Sequence, residues 1–279
     1  MKKISFFLAI FTFVFSSFSY ADDKNGNFPT DILAAGNSYF YADAFVYSEN
    51  SNLLNHTNEI GKFKRNYTDE NFIARYGLYQ NIDVSFGVPI FSDYKSRTFY
   101  TNGPTFISNK REGLGNLAFS GSYGIINEKT NPLSLKISLT GTPNNSGNET
   151  GSVKPSLDAG YQLNERARLY SGFSLTYTTN ENYGNYNTVK FGWQYDIIKN
   201  LTIDVMANHS RINSVNAYKS YDENNIVVKF IYGINDRLYV LPSFENVWHS
   251  DIASKNNLIT NQSTSQIRLY SIALKYLFN

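Results

Sequence analysis

Apolar and polar residues alternate along this chain in short runs, and the period of the alternation is two. The run at the C-terminus is the clearest: Tyr270, Ile272, Leu274, Tyr276 and Phe278 point one way, and Ser271, Ala273 and Lys275 the other, because side chains of a β-strand leave alternately on its two faces. Runs of this kind predict strands near residues 37–48, 69–79, 82–91, 115–126, 133–143, 155–163, 167–178, 188–198, 201–210, 224–234, 238–247 and 266–278. The links between them form two alternating classes. Gln80-Asn81, Asn127 to Pro132, Asn164 to Arg166, Lys199-Asn200 and Asn235 to Arg237 are short, whereas 49–68, 92–114, 144–154, 179–187, 211–223 and 248–265 are long. This pattern predicts an all-β fold, an antiparallel up-and-down transmembrane β-barrel of about 12 strands, with short turns at the periplasm and long loops outside.

One face of each strand is apolar almost without interruption. Examples are Leu133, Leu135, Ile137 and Leu139; Leu169, Phe173, Leu175 and Tyr177; Val189, Phe191, Trp193, Tyr195 and Ile197; and Ile226, Val228, Phe230, Tyr232 and Ile234. A soluble β-sandwich would bury the same face against a second sheet, but it has no reason to alternate short and long links. Pro89 and Pro242 strain the barrel reading, since proline has no N–H to give a closed sheet. A local break is expected at Pro242, and Pro89 is expected to be tolerated close to the outer rim.

The opposite face carries the candidate chemistry. Nearly every strand places one ionisable residue there: Asp43, Arg75, Asp83, Lys136, Asp158, Arg168, Lys190, Asp204, Lys229, Glu245 and Lys275, with Asn116 on the strand that has none. The signs alternate around the barrel except at Arg168 and Lys190, so neighbouring strands are placed to pair opposite charges. A belt of this kind filters solutes by charge when the lumen is open; alternatively, it is a salt-bridged lining that fills the lumen. Twelve tilted strands give a backbone diameter of roughly 24 Å and a free bore of about 10 Å, enough for a small solute. The excess of cations at Arg168 and Lys190 favours anions. Tyr39, Tyr41, Tyr47, Tyr170 and Tyr239 face inward on the same register and are placed to stack on a ring.

Other features restrict the function. Residues Met1 to Ala21 read as a signal peptide, with Lys2 and Lys3, an apolar core from Ile4 to Phe15, and Ser19-Tyr20-Ala21 before the cleavage site. That core is short for an uncleaved spanning helix, which needs roughly 20 residues. The expected organisation is a signal peptide at 1–21 cleaved after Ala21, a periplasmic segment at 22–35, and an outer-membrane barrel at 36–279. The mean hydropathy of −0.36 does not oppose a membrane location, because every second barrel residue is free to be polar. The 22 Tyr and 21 Phe suit two interfacial girdles. With 0 Cys, disulfides and thiolate chemistry are excluded, and a net charge of +2 gives no footprint for nucleic acid.

No metal or cofactor is implied; Gly113-Leu114-Gly115 is too short to cradle a phosphate and precedes a strand. His209-Ser210 and His249-Ser250-Asp251 are the nearest approach to a hydrolytic group; adjacent strand residues face opposite sides, so neither pair matches a barrel lipid hydrolase's motif, and a membrane-lipid hydrolase acting through His209 or His249 is the lesser alternative. His56 falls in a long loop, and Asn144 to Gly151 form a polar loop tip. The expected partners are outer-membrane lipid and lipopolysaccharide, and a small solute of unknown identity. A barrel that does not conduct and binds a partner through its loops is the alternative function.

Two resemblances add to this. The aromatic-terminated last strand resembles the C-terminal signature by which barrel-assembly machinery recognises outer-membrane proteins, with Asn279 following the Phe. Tyr76-Gly77-Leu78-Tyr79-Gln80-Asn81-Ile82-Asp83-Val84, then Gly87-Val88-Pro89 and Gly113-Leu114-Gly115-Asn116-Leu117, resemble a family of Gram-negative barrels labelled as transporters of the phenol meta-cleavage pathway. Asn116 stands where that family has Asp. The resemblance implies an outer-membrane location and uptake of small, apolar solutes.

Overall fold

A computed structural model of the chain describes residues 28–55, 58–91, 94–101, 104–110, 113–126, 131–143, 151–179, 184–215, 218–255, 260–261 and 266–278. The proposed signal peptide, His56 and nearly all of the 144–151 loop tip lie outside these residues. Among the described residues there are sixteen strands and no helix. They are β1 (Ser38–Asn55), β2 (Asn58–Tyr79), β3 (Ile82–Phe91), β4 (Tyr94–Tyr100), β5 (Phe106–Lys110), β6 (Ala118–Ile126), β7 (Leu133–Thr142) and β8 (Ser152–Gln162), followed by β9 (Ala167–Thr178), β10 (Tyr186–Ile198), β11 (Leu201–Ile212), β12 (Tyr221–Gly233), β13 (Leu238–His249), β14 (Ile252–Ala253), β15 (Thr260–Asn261) and β16 (Gln266–Phe278).

Twelve of them close a barrel in the order β1, β2, β3, β6, β7, β8, β9, β10, β11, β12, β13, β16, because β1 pairs antiparallel with β2 on one edge and with β16 on the other. Closure leaves no free edge, the condition for crossing a bilayer with strands. The expected faces are as the alternation requires: Phe40, Val46, Ile137, Phe173, Phe191, Phe230, Tyr270 and Phe278 are exposed, while Tyr39, Tyr41, Asp43, Lys136, Asp158 and Lys275 are buried in the lumen.

The strands are longer at the outer end than the apolar pattern predicts. β1 and β2 continue as a paired ribbon through Asn50↔Lys64 to Asn55↔Asn58, where a loop was expected over 49–68. Polar residues predominate on both faces of this stretch and its few apolar residues, Leu53, Leu54, Ile60 and Phe63, do not alternate, so main-chain pairing rather than hydrophobic period defines it. Within the expected 92–114 loop, β4 adds to the ribbon through Gly61↔Tyr100 to Asn66↔Lys95, and β5 pairs with β4. β14 and β15 lie within the expected 248–265 loop, and β15 pairs with Leu53 and Leu54 of β1.

The prolines behave as their missing N–H demands. The β12–β13 ladder runs from Glu223↔His249 to Lys229↔Ser243, skips the residues around Pro242, and resumes in unchanged register at Tyr232↔Val240. Pro155, which the alternation gave no reason to flag, opens the same kind of gap between Val153↔Tyr177 and Ser156↔Ser174. Pro89 sits where β6 has ended, and its carbonyl accepts from the Gly115 N–H at 2.9 Å.

Residues 28–35 of the expected 22–35 periplasmic segment, together with Gly36 and Asn37, pack against the inner wall of the barrel. Phe28 is fully buried and Leu33 is 6% exposed. The alternation could not place them, since this stretch has no strand period.

Candidate functional site

All eleven ionisable residues chosen from the sequence face the lumen. Nine of them, Asp43, Arg75, Asp83, Lys136, Asp158, Arg168, Asp204, Glu245 and Lys275, are buried, while Lys190 and Lys229 are nearly so. Pairing of opposite charges between adjacent strands occurs at Arg75–Asp83, 2.6 Å, and at Lys229–Asp204, 3.1 Å. A third pair skips a strand: Lys190 of β10 reaches Asp158 of β8 at 2.7 Å. Gly172 on the intervening β9 makes this possible, because a Cβ there would lie 2.2 Å from Asp158 Oδ1 and 2.4 Å from Lys190 Cε. Tyr170 of β9 likewise donates to Asp204 Oδ1 of β11 at 2.7 Å, passing over Gly192 of β10, where a Cβ would lie 2.1 Å from the phenol ring.

Arg168 and Lys190, successive in the strand order, lie at different heights. Arg168 is opposite Gln194 and Lys190 is opposite Gly172, so the two are separated by four residues along the strands, about 13 Å. Each also has its own contact, Lys190 with Asp158 and Arg168 with the Phe28 ring, 5.4 Å from its centroid. The count of residues in a strand fixes the face of a side chain, but its height depends on stagger between strands.

The segment 28–37 forms a strap along the wall at the short-turn end. It passes β9, β8, β7, β6, β3 and β2 in turn before entering β1. Phe28 meets the Tyr170 ring edge-on at 5.5 Å; Thr30 Oγ1 lies 2.5 Å from Ser134 Oγ; the Asp31 carbonyl accepts from Arg75 at 2.9 Å; and the Leu33 N–H donates to Asp83 at 3.2 Å. Leu33 enters a lumenal cluster with Tyr39, Tyr41, Ile231, Tyr239, Leu241, Ala273 and Leu277. The wall is cut away to receive it. A Cβ on Gly160 would lie 2.4 Å from the Phe28 ring, one on Gly124 2.9 Å from Ile32, and one on Gly77 2.1 Å from the Ala34 carbonyl.

A second charged tier, missed in the sequence because it lies where loops were expected, occupies the outer half. Arg65 of β2 donates to Tyr47 OH at 2.8 Å and pairs with Glu49, and Tyr47 stacks on Tyr67 at 4.4 Å. Asn225 donates to Glu245 at 2.5 Å. A period-two count continued through 47, 49, 51 and 53 would have found Glu49.

The lumen wall is divided in composition. Around β6 to β11 the inward positions are mostly polar, with hydroxyls and cations beside Asp158, Asp204, Gln194 and Asn208; one row runs Ser122↔Ser138↔Ser156↔Ser174↔Thr188↔Ser210 across six adjacent strands. Cross-strand hydroxyl contacts join Ser138 to Ser122 at 3.0 Å, Thr140 to Ser120 at 3.2 Å and Thr188 to Ser210 at 2.7 Å. From β12 through β13, β16 and β1 to β2 the wall is rich in apolar and aromatic residues, among them Phe45, Val227, Leu241, Val247, Ile267 and Leu269, all buried.

The histidines do not form a hydrolytic site with their neighbouring serines. His209 is exposed on the outer face with Nδ1 2.9 Å from Asn224 Oδ1, while Ser210 is buried in the lumen. His249 faces inward with Nδ1 2.7 Å from the Ser250 carbonyl, and Ser250 Oγ accepts from the Asp222 N–H.

A closed twelve-strand antiparallel barrel with an apolar belt outside and a charged lining inside is the fold of transmembrane β-barrels, and solved outer-membrane barrels share that fold. An outer-membrane channel from Pseudomonas putida F1 superposes with a TM-score of 0.60 at 9% identity, covering 89% of this chain and 98% of that one. The KdgM porin in complex with disordered oligogalacturonate gives 0.52 at 11% identity, covering 85% of this chain and 99% of that one. No family profile and no curated protein matches the sequence.

Proposed function

We propose that this protein is an outer-membrane channel that passes small solutes passively, with the charged lining as its filter and the strap narrowing its periplasmic mouth. One observation carries the reading: eleven ionisable residues from eleven barrel strands face a single enclosed lumen, where charge selects what enters. The porin-type fold shared with channels of known structure supports it. In this reading the exposed girdle contacts membrane lipid and lipopolysaccharide, the last strand serves barrel assembly, and the protein catalyses no reaction. The resemblance carried by the motifs from Tyr76 to Val84 implies uptake of small organic solutes.

The test is single-channel recording of the refolded chain lacking residues 1–21 in a planar bilayer with KCl. Steady conductance with a measurable ion preference supports the channel. A folded, silent barrel would overturn it and assign function to the outer ribbon of β1, β2, β4 and β5.

A further inference from the structure

The two halves of the lumen wall face one another. In a closed ring of twelve, strands six places apart are opposite, so β7 faces β13, β8 faces β16, β9 faces β1 and β10 faces β2. On the first side, three successive rows run across the strands. The lowest is Lys136↔Asp158↔Gly172↔Lys190, the next is the row of serines and Thr188, and the one above contains Ser120↔Thr140↔Lys154. Hydroxyls therefore lie between two levels of lysine, each level about 7 Å along the strand from the hydroxyl row. These inward hydroxyls are mostly half-buried, as expected of groups that border the open part of the bore.

Charge on this side is unequal. Lys136, Lys154, Arg168 and Lys190 outnumber Asp158 and Asp204, and Asp196 sits at the rim by the turn, where Thr202 donates to it at 2.6 Å. On the opposite side carboxylates and cations are close to balance. Asp43, Glu49, Asp69, Glu223 and Glu245 stand with Arg65, Arg75, Lys229 and Lys275, and the side chains packed between them include Tyr41, Phe45, Leu241, Val247 and Leu269.

We infer that the lumen is a track for small amphipathic organic anions, with the carboxylate moving along the lysine and hydroxyl rows of β7 to β10 and an apolar ring or chain against the wall from β12 to β2. The physical reason is paired. A carboxylate leaving water needs charged or hydroxyl donors along its whole path, or desolvation stops it. Hydroxyls between lysines supply donors that do not trap it, and solutes that leave as readily as they enter are what conduction requires. An apolar wall opposite rewards a solute whose other side is apolar, and its carboxylates repel an anion that enters reversed. This inference rests on the channel reading and assigns its solute class.

Three probes of one ring size separate the contributions: cyclohexanecarboxylate, glucuronate and cyclohexylammonium. Reversal potentials under bi-ionic conditions should rank permeability in that order. Lys154→Gln should reduce the preference for carboxylate over ammonium by about threefold, the size of one screened charge contact. Val227→Thr with Val247→Thr, nearly isosteric and on the apolar wall, should reduce the preference for cyclohexanecarboxylate over glucuronate by roughly twofold. Heat-modifiable migration on a gel checks that each variant is folded. KCl conductance with equal passage of the two carboxylates, or with ammonium favoured, overturns the solute assignment and leaves the channel standing. No conductance in KCl overturns both.

Discussion

The wall from β6 to β11 and the wall from β12 to β2 are built from the same alternating strands, yet they are packed by different means. The first is held by small residues and hydroxyls, with charges that bridge two strands over glycines, as Lys190–Asp158 does over Gly172. The second is held by large side chains: Tyr39, Tyr41, Tyr239, Leu241 and Leu277 join Leu33 of the strap in one cluster. Small side chains fill less of the lumen than large ones, so on the channel reading the free path would lie toward the hydroxyl wall. The strap exploits both, seating Phe28 against Gly160 on one side and Leu33 in the apolar cluster on the other.

Three changes test this contrast. The largest effect is expected from the strap, because it lies across the foot of the hydroxyl wall. Removing residues 22–34, or replacing Phe28 and Leu33 together by Ala, should raise unitary conductance severalfold in planar-bilayer recordings. An unchanged conductance would mean that the narrowest point lies elsewhere. Next come the glycines beneath the bridging groups. Gly172→Ala should separate Lys190 from Asp158 and cost roughly 3 kcal/mol, the loss expected from breaking a buried ion pair, read from urea unfolding of the barrel in lipid vesicles. The same substitution at Gly141, where a Cβ meets nothing within 4 Å, is the control and should be nearly neutral. The smallest effect is expected from a single hydroxyl: Ser138→Ala, which removes its 3.0 Å contact to Ser122, should cost about 0.5 kcal/mol.

Much of the barrel was legible because a membrane imposes a strict rule on one face of each strand. Ile272, Leu274 and Tyr276 must be apolar to meet lipid, and that requirement also fixes Ala273 and Lys275 as lumenal. Where the rule lapses, so did the reading. Glu49 and Arg65 belong to paired strands that rise beyond the apolar band, with polar residues on both faces, and the strands there are defined by main-chain hydrogen bonds. Pro155 gave no warning because it stood first in the strand expected at 155–163, where proline is tolerated, whereas β8 in fact begins at Ser152.

The sequence by itself determined the twelve strands of the barrel wall and which of their side chains face inward, since period-two alternation and loop length are local properties. Tertiary structure alone decided which of those side chains meet. Arg168 and Lys190 are on adjacent strands but at different heights, because stagger is set by pairing around the whole ring. Gly77, Gly124 and Gly160 are spaced without period, yet closure of the barrel brings all three under one strap. A segment with no strand period of its own can be placed only by the surface it covers.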